Sequence, residues 1–330
     1  MATMSKRIEL LKILAQGGFH SGEALGRRLG VSRTAIWKYV KGLLEWGIDC
    51  HSVSGKGYRL AQPIELLSET DLAAAMDAEV LAQISSLEVL PNIDSTNRYL
   101  MERLPNNLNS GHVCLAEYQT AGRGRRGRDW VSPFGQNLYL SFYWRFDISP
   151  AVLSGLGLAI AVALVRALRR LGLEGTKLKW PNDVLWQGRK LAGILLEMKA
   201  EAQGPFHVVT GVGINLNMPV DQAGIDQPWV GVNQLMSSPI ARNVAAGLII
   251  EELILAARQF EAEALAPFID EWRAADAFAG QAVDIHMANG VVAGTSLGID
   301  ASGALLIDTE AGVRSFHSGD VSLRPSGVAL

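Results

Sequence analysis

The N-terminal part of the chain is divided into three short helical segments by residues that cap and end helices. Apolar side chains recur at helical spacing over residues 8–17 and stop at two glycines. Ser21 is a typical helix N-cap, and Gly30 ends the helix that it begins. Ser32 predicts the cap of a third helix that continues to Gly47. Helices this short are stable only when they pack together and bury their apolar faces.

Residues 48–60 change from helical spacing to alternation and turn at residues 54–57, which predicts a two-stranded hairpin with a cationic tip. Helices followed by such a hairpin are typical of a winged helix-turn-helix, whose third helix enters the major groove of DNA. A small structural bundle with a solvated basic face is the alternative, and Trp37 could either touch DNA or pack inside. The candidates for DNA contact are Ser32, Arg33, Thr34, Trp37, Lys38, Lys41 and Lys56.

Charge is distributed unevenly along the chain. Residues 1–60 contain 10 Lys or Arg against 4 Asp or Glu, whereas the rest of the chain contains 20 against 29. A polyanionic partner is therefore expected at the N-terminal segment. Cys50 and Cys114 form no CxxC pair and no signal peptide opens the chain, so we expect a cytoplasmic location.

Three sequence patterns follow one another: short helices with a hairpin, then alternating helix and strand signals, then short alternating strands. They predict an α+β protein with domains at 1–64, 65–275 and 276–330. Helix and strand signals alternate through the central segment, and short alternating strands in the last segment predict a small closed β-barrel. The uncharged run 148–165 barely reaches the length of a membrane span, and its Pro, Ser and Gly predict a buried core helix instead. The predicted central elements are helices at 150–172 and 241–275 and strands near 87–91, 112–119, 137–144, 178–186, 190–198 and 207–217.

The most unusual segment is residues 122–128, which read GRGRRGR. Its glycines match GxGxxG, but a strand rather than a helix follows, so a dinucleotide-binding turn is disfavoured. No Walker A loop occurs in the sequence. A flexible loop of this composition can bring backbone N–H groups and guanidinium forks to the phosphates of a nucleotide. A nucleic-acid-binding tract and a solvated basic loop are the alternatives that residue types alone leave open.

Three further features are weaker signals. KWPND at 179–183 is a common turn sequence, although Asp183 could ligate Mg²⁺ and Asn182 could bind a polar edge. Lys190 could be an edge charge or a point charge that faces a carboxylate or phosphate. DSTN at 94–97 could cap a helix through Asp94 or Ser95, or could bind a ligand at a helix N-terminus.

Together and in this order, the motifs resemble those of the biotin protein ligase family over nearly the whole chain. They are DSTN, EYQTAGRGRRGRDW, SPFGQNLYLS, KWPNDV, RKLAGILLE and GVGINLN. With the DNA-binding segment in front, the chain is similar to the bifunctional ligases that also repress the biotin operon. The resemblance implies a mixed α/β ligase domain at 65–275 and an SH3-like barrel at 276–330.

The resemblance also implies residue roles. Lys190, Arg123 and Arg125 are expected to be catalytic, with Lys190 beside the biotin carboxylate and the α-phosphate. Asp183 is the candidate ligand for Mg²⁺. The biotin site is expected to contain Ser95, Thr96, Asn97, Gln119, Arg123, Gly124, Arg125 and Lys190. The ATP and adenylate site is expected to contain Arg125, Trp130, Asn182, Asp183 and Asn215.

The implied reaction joins biotin and ATP, with Mg²⁺, into biotinyl-5′-AMP and transfers biotin to a lysine of a biotin carboxyl carrier domain. The implied regulation is repression of biotin synthesis genes by an adenylate-bound homodimer at operator DNA, with no membrane involved. A transcription factor that has lost catalysis is disfavoured by the intact GRGRRGR segment and Lys190. A lipoate-attaching ligase is disfavoured by the biotin-type motifs and the DNA-binding segment.

Overall fold

The computed structural model describes residues 2–104, 108–201, 204–219, 224–287, 290–318 and 322–326. Over these residues a helical N-terminal part precedes a seven-stranded sheet with its helices, and a five-stranded sheet follows. The three segments predicted from the sequence therefore correspond to three parts with different architectures. The boundaries at 64/65 and 275/276 stay predictions.

The N-terminal part consists of three helices and a hairpin, as predicted. Its elements are α1 (Ala2–Leu14), α2 (Gly22–Leu29), α3 (Arg33–Leu43), β1 (Cys50–Val53) and β2 (Gly57–Leu60). The first helix begins before the predicted residue 8 and ends before the two glycines. The hairpin strands pair antiparallel, which places the predicted turn between them.

The predicted caps of α2 and α3 are confirmed. Ser21 Oγ accepts a hydrogen bond from the Ala24 amide at 3.1 Å, and Ser32 Oγ accepts one from Ala35 at 3.2 Å. Gly30 adopts a φ of 65° after α2, a left-handed conformation that glycine reaches without the steric cost of a Cβ atom. The turn between the two helices is thus encoded locally.

A side chain from the central part completes the N-terminal core. Phe134 is 2% exposed and stacks on Trp46, with ring centroids 5.2 Å apart and planes 9° apart. Trp46 lies in the short 3-10 turn that follows α3. The N-terminal part is therefore joined to the central part by buried apolar contact as well as by the chain itself.

Seven strands form the central sheet in the order β3-β4-β5-β9-β8-β7-β6, and all neighbours except the parallel pair β3 and β4 are antiparallel. The strands are β3 (Ser86–Leu90), β4 (His112–Ala116), β5 (Leu138–Phe146), β6 (Thr176–Lys179), β7 (Asp183–Trp186), β8 (Arg189–Ala200) and β9 (Phe206–Ile214). The helices of this part are α4 (Glu69–Ala74), α5 (Ala78–Leu81), α6 (Thr96–Met101), α7 (Pro150–Leu153), α8 (Leu156–Arg170), α9 (Arg242–Glu263) and α10 (Ile269–Ala275).

Alternation along β5 divides the two faces of the sheet. Leu140 and Phe142 belong to the main core with α8 and α9, whereas Tyr143 belongs to a smaller cluster with Leu100, at the end of α6. Ser141, between Leu140 and Phe142, therefore points to the α6 side, where it is fully buried. The polar residues of β5 thus face the short helix rather than the core.

Pro150–Arg170 is the one helical segment of the described chain that is long and apolar enough to span a membrane. Within its apolar window, 72% of the residues are buried inside the protein. Its central residues Ala159, Ile160 and Leu164 have no exposed surface and pack in the main core. The predicted buried core helix is confirmed.

Two predicted elements are each divided in the structure. The helix predicted at 241–275 ends at Ala264, where φ is 56°, and a 3-10 turn separates it from α10. The strand predicted at 178–186 is two strands, because the chain turns back at a cis Trp180–Pro181 bond. The turn places Asn182 and Asp183 at the start of β7. Periodicity gave no sign of the break at Ala264, whereas the turn sequence KWPND indicated the one at Pro181.

Five antiparallel strands form the C-terminal part in the order β13-β12-β11-β10-β14. They are β10 (Ala282–Met287), β11 (Gly290–Ile299), β12 (Leu305–Thr309), β13 (Gly312–Phe316) and β14 (Ser322–Pro325). Their buried face joins the main core through Val283, Ile285 and Ile307. The two end strands share no ladder within the described residues, so closure into a barrel stays a prediction.

Candidate active site

One cavity of about 300 Å³ opens on the α6 side of the central sheet. Every residue that the motifs predicted for biotin or nucleotide binding lines it, although these residues come from segments far apart in the sequence. They are Ser95, Thr96, Asn97, Gln119, Arg123, Gly124, Arg125, Trp130, Asn182, Asp183, Lys190 and Asn215. The structure thus brings the predicted set together.

The N-terminus of α6 forms one wall of the cavity. Gln119 Oε1 accepts hydrogen bonds from the Thr96 amide at 2.9 Å and from Thr96 Oγ1 at 3.2 Å. Ser95 is the N-cap residue, but its side chain makes no capping bond, and Asp94 instead binds Arg98 at 2.7 Å. The prediction that Ser95 or Asp94 caps this helix is therefore wrong, because Gln119 supplies the acceptor.

Asn97 is held by three neighbours on the sheet. Its Oδ1 accepts a hydrogen bond from Ser141 Oγ at 2.6 Å, and its Nδ2 donates to Leu195 O at 3.2 Å and to Glu197 Oε2 at 2.9 Å. A Cβ atom at Gly211 would clash with Asn97 Oδ1, so the glycine makes room for the amide. Sequence analysis missed Ser141, Glu197 and Gly211, since no local pattern links them to Asn97.

The segment 122–128, here named the arginine loop, folds back on itself beside the cavity. Gly124 donates its amide hydrogen to Arg128 O at 2.7 Å, and Arg126 has a φ of 59°. Arg123 Nη2 lies 2.6 Å from Glu197 Oε1 on β8. Arg125 Nη1 donates to Asn182 Oδ1 at 3.1 Å. The loop is thus tied to the sheet by two of its guanidinium groups.

Lys190 and Asp183 form an ion pair at the floor, with Nζ 2.8 Å from Oδ1 and each side chain 14% exposed. Asn182 is oriented beside them by donating Nδ2 to Ile194 O at 2.9 Å. Burial lowers the pKa of the nearby Lys179. The charge of Lys190 lowers this pKa further, whereas the charge of Asp183 raises it. Burial thus disfavours the charged form of Lys179, while the charges of Lys190 and Asp183 offset each other.

Trp130 and Asn215 form the remaining side. The indole lies against Gly193 and Gly213, with the Nζ of Lys190 5.4 Å from the ring centroid. Asn215 donates Nδ2 to Lys190 O at 3.3 Å, and its Oδ1 is buried without a hydrogen-bond partner among the described residues. An apolar ring beside an unused acceptor and a cation is a composition typical of a small-molecule site.

The described residues contain no cluster of three or more side chains suited to a metal ion. Carboxylates that line the cavity are those of Asp129, Asp183 and Asp226, of which Asp183 is paired with Lys190. Sequence analysis identified Asp183 and missed the other two. Trp229, which pairs with the Lys190 backbone and lines the cavity, was also missed.

The candidate DNA-contacting residues form a second, separate surface. Arg33, Thr34, Lys38, Lys41 and Lys56 are all exposed. Ser32 is exposed too, although its hydroxyl caps α3. Trp37 is 46% exposed, and the Nζ of Lys41 lies 4.3 Å from its ring centroid. Of the two alternatives for Trp37, packing inside is therefore wrong.

Three family models match successive parts of the chain. An HTH domain matches residues 6–59, the biotin/lipoate A/B protein ligase family matches residues 89–215, and the biotin protein ligase C terminal domain matches residues 278–324. A crystal structure of biotin protein ligase from Aquifex aeolicus in complex with biotin and ATP has a TM-score of 0.64 and 28% identity. The similarity covers 74% of this chain and all of that one.

Fold, site and domain order define a biotin-type protein ligase with a helix-turn-helix domain in front. The bifunctional ligase/repressor BirA of Escherichia coli is 43% identical over 96% of this chain and 97% of its own length. The bifunctional ligase/repressor BirA of Bacillus subtilis is 32% identical over 96% of this chain and 98% of its own length. The chain belongs to this family of bifunctional biotin protein ligases and repressors. The predicted resemblance, fold class and enzyme class are confirmed.

Proposed function

We infer that this chain activates biotin with ATP, passes it to a lysine of an acceptor domain, and represses transcription as an adenylate-bound homodimer. One observation carries the catalytic part. A single cavity contains Lys190, two guanidinium groups of the arginine loop, the N-terminus of α6 and the ring of Trp130. These groups match the two ends of an acyl adenylate.

The first step needs cations between two anions. When the biotin carboxylate attacks the α-phosphorus, a C–O–P linkage forms and pyrophosphate leaves. At about 4 Å the two reacting anions repel by roughly 4 kcal/mol in a surface-like dielectric. Lys190, Arg123 and Arg125 would offset this repulsion and stabilise the charge on the leaving pyrophosphate. Positioning does the rest, and no nucleophilic side chain is required.

Carboxylates of the protein itself neutralise two cations of the site. Lys190 is paired with Asp183, and Arg123 with Glu197. Nucleotide phosphates would compete with these carboxylates for the same donors, and guanidinium forks fit phosphate oxygens well. The arginine loop can therefore transfer its contacts from the protein to the adenylate as the site fills.

Mg²⁺ would bind chiefly through the nucleotide. The ion usually takes one or two carboxylates together with substrate phosphates, and it keeps several waters. Asp183 faces the cavity beside Asn182, and Asp129 and Asp226 also line it, so the donor set fits such an ion. Bound there, the metal would supply further neutralisation of the phosphate charge.

Transfer completes the reaction. The neutral amine of an acceptor lysine attacks the biotinyl carbonyl carbon, an amide forms, and AMP leaves with the electrons of the broken C–O bond. The mixed anhydride is sensitive to water until then. An arginine loop closed over it would exclude water and keep the adenylate from diffusing away.

Repression is proposed to follow from dimerisation of the adenylate-bound chain. Two winged helices related by a two-fold axis would match a palindromic operator. Arg126 and Arg128 are both exposed on the arginine loop, and a second subunit could contact them. Sedimentation with and without biotin and ATP tests this, and an unchanged monomer at high concentration would count against it.

The decisive experiment is incubation with ATP, Mg²⁺, biotin and an acceptor domain, followed by mass measurement of the acceptor. Addition of one biotin to one lysine is expected, and pyrophosphate release should accompany it. A factor without catalysis would release none. Competition between biotin and lipoate tests the lipoate-ligase alternative, in which lipoate would win.

A further inference from the structure

Glu197, near the end of β8, binds two different parts of the active site through its two carboxylate oxygens. Its Oε2 accepts a hydrogen bond from Asn97 Nδ2 at 2.9 Å, and its Oε1 accepts one from Arg123 Nη2 at 2.6 Å. Its side chain is 20% exposed, whereas that of Arg123 is 39% exposed. One anion therefore connects the wall of the biotin site to the arginine loop.

The contact with Asn97 is one of three that set which way the buried amide points. Asn97 is 3% exposed, and its oxygen accepts from Ser141 while its nitrogen faces Leu195 and Glu197. An amide has one acceptor atom and one donor atom of nearly equal size, so its neighbours select the orientation. A carboxylate accepts only, and Glu197 therefore holds the donor end of Asn97 toward β8.

The contact with Arg123 ties the arginine loop to β8. Arg123 is on the first half of the arginine loop, where its backbone also bridges to Asp129. A carboxylate–guanidinium hydrogen bond is short and charge-assisted, but a pair this exposed is weak enough to be exchanged. Glu197 can thus hold Arg123 and yield it to phosphate.

We propose that Glu197 is a positioning residue that couples biotin recognition to placement of the arginine loop. It touches neither substrate in this role, since it acts through Asn97 and Arg123. The proposal rests on the proposed ligase function only for the identity of the ligand at Asn97. The part that concerns the loop holds for the ligand-free protein.

Glu197→Gln separates the two contacts. The glutamine oxygen can still accept from Asn97, but its NH₂ then faces the guanidinium of Arg123 as donor against donor. Glu197→Ala removes both contacts. Glu201→Gln is the matched control, because Glu201 binds His207 Nε2 at 2.8 Å outside the cavity and is 51% exposed.

The arginine loop provides a readout that is independent of activity. Trypsin cleaves after arginine, so the rate of cleavage within residues 122–128 of the ligand-free protein measures how firmly the loop is held. Biotin affinity is measured by calorimetry without nucleotide. Thermal unfolding of each variant shows whether the fold is intact.

We expect Glu197→Gln to be cleaved at least about fivefold faster within the loop, with biotin affinity within about twofold of the parent. Glu197→Ala should show the faster cleavage and about tenfold weaker biotin binding, and Glu201→Gln should match the parent in both. Cleavage of Glu197→Gln at the parent rate, or unchanged biotin affinity in Glu197→Ala, would overturn the proposal. A parent chain that binds no biotin would instead refute the proposed function, and the cleavage comparison would still test the loop.

Discussion

The indole of Trp130 covers the backbone of Gly213 on β9, and a Cβ atom at that position would clash with Trp130 Cε2. Gly193 on β8 lies under the same ring, where a Cβ atom would be 3.0 Å from Trp130 Cζ3. Two glycines on neighbouring strands therefore set the depth of the aromatic ring. They also set the position of the ring in the cavity.

Gly213→Ala is expected to weaken ATP binding about tenfold, because overpacking costs roughly 1–3 kcal/mol and displaces Trp130. ATP titration by calorimetry measures it, with biotin affinity in the absence of nucleotide as the internal control. In a Trp130→Ala background the same glycine substitution should add almost nothing, since the clashing ring is gone. Full additivity of the two effects would show that Gly213 acts independently of Trp130.

Lys190→Gln should lower the rate of adenylate formation by about 10²–10³-fold, the loss typical of removing one donor to developing charge. Pyrophosphate release at saturating biotin and ATP is the measurement. Lys199→Gln is the matched control, because Lys199 lies on the same strand and its Nζ binds Met101 O away from the cavity. An equal loss in both variants would mean that the strand, rather than the cation at its start, is responsible.

Arg125→Gly is expected to release adenylate into solution and so to label lysines of unrelated proteins. Its guanidinium otherwise ties the arginine loop to Asn182 at 3.1 Å. Blotting for biotin on a bystander protein measures the leak. Arg126→Gly serves as the control in the same loop, since its φ of 59° suits glycine and should leave retention intact. Tight retention of the intermediate by Arg125→Gly would contradict the proposed role.

Glu117→Gln should destabilise the protein by about 3–5 kcal/mol, because it breaks a buried ion pair and leaves Arg242 uncompensated. Arg242 is 1% exposed, and its Nη1 lies 2.8 Å from Glu117 Oε2. Urea denaturation measures the loss. Glu174→Gln breaks an exposed pair with Arg169 at 3.6 Å and should cost at most about 1 kcal/mol. Similar losses in the two variants would refute the buried pair as a stabilising contact.

Lys56→Ala at the hairpin tip should weaken binding to all DNA sequences and reduce the salt dependence of affinity by about one ion. Trp37→Ala should instead change sequence preference with little change in salt dependence, because its exposed ring can contact bases but carries no charge. Selection of bound sequences from a random pool, followed by salt titration, separates the two. Lys12→Ala on the exposed side of α1 is the control. A sequence preference unaltered in Trp37→Ala would exclude base contact by that ring.

Local signals in the sequence were reliable wherever neighbours along the chain decide the structure. Ser21, Gly30 and Ser32 ended and began helices as predicted, because capping satisfies backbone groups within one turn. The same logic failed at Ser95, where an acceptor from residue 119 took the place of a local cap. Periodicity likewise missed the break at Ala264, whereas the turn sequence KWPND indicated the one at Pro181.

The sequence by itself determined the class of protein and the motif residues that line its cavity, since the motifs hold chemically specific side chains in a fixed order. Only the tertiary structure decided how those residues are held. Glu197 lies 100 positions from Asn97 and 74 from Arg123, and it meets both because β8 passes under α6 and the arginine loop. Contacts between such distant segments depend on sheet order and register, which no local pattern encodes.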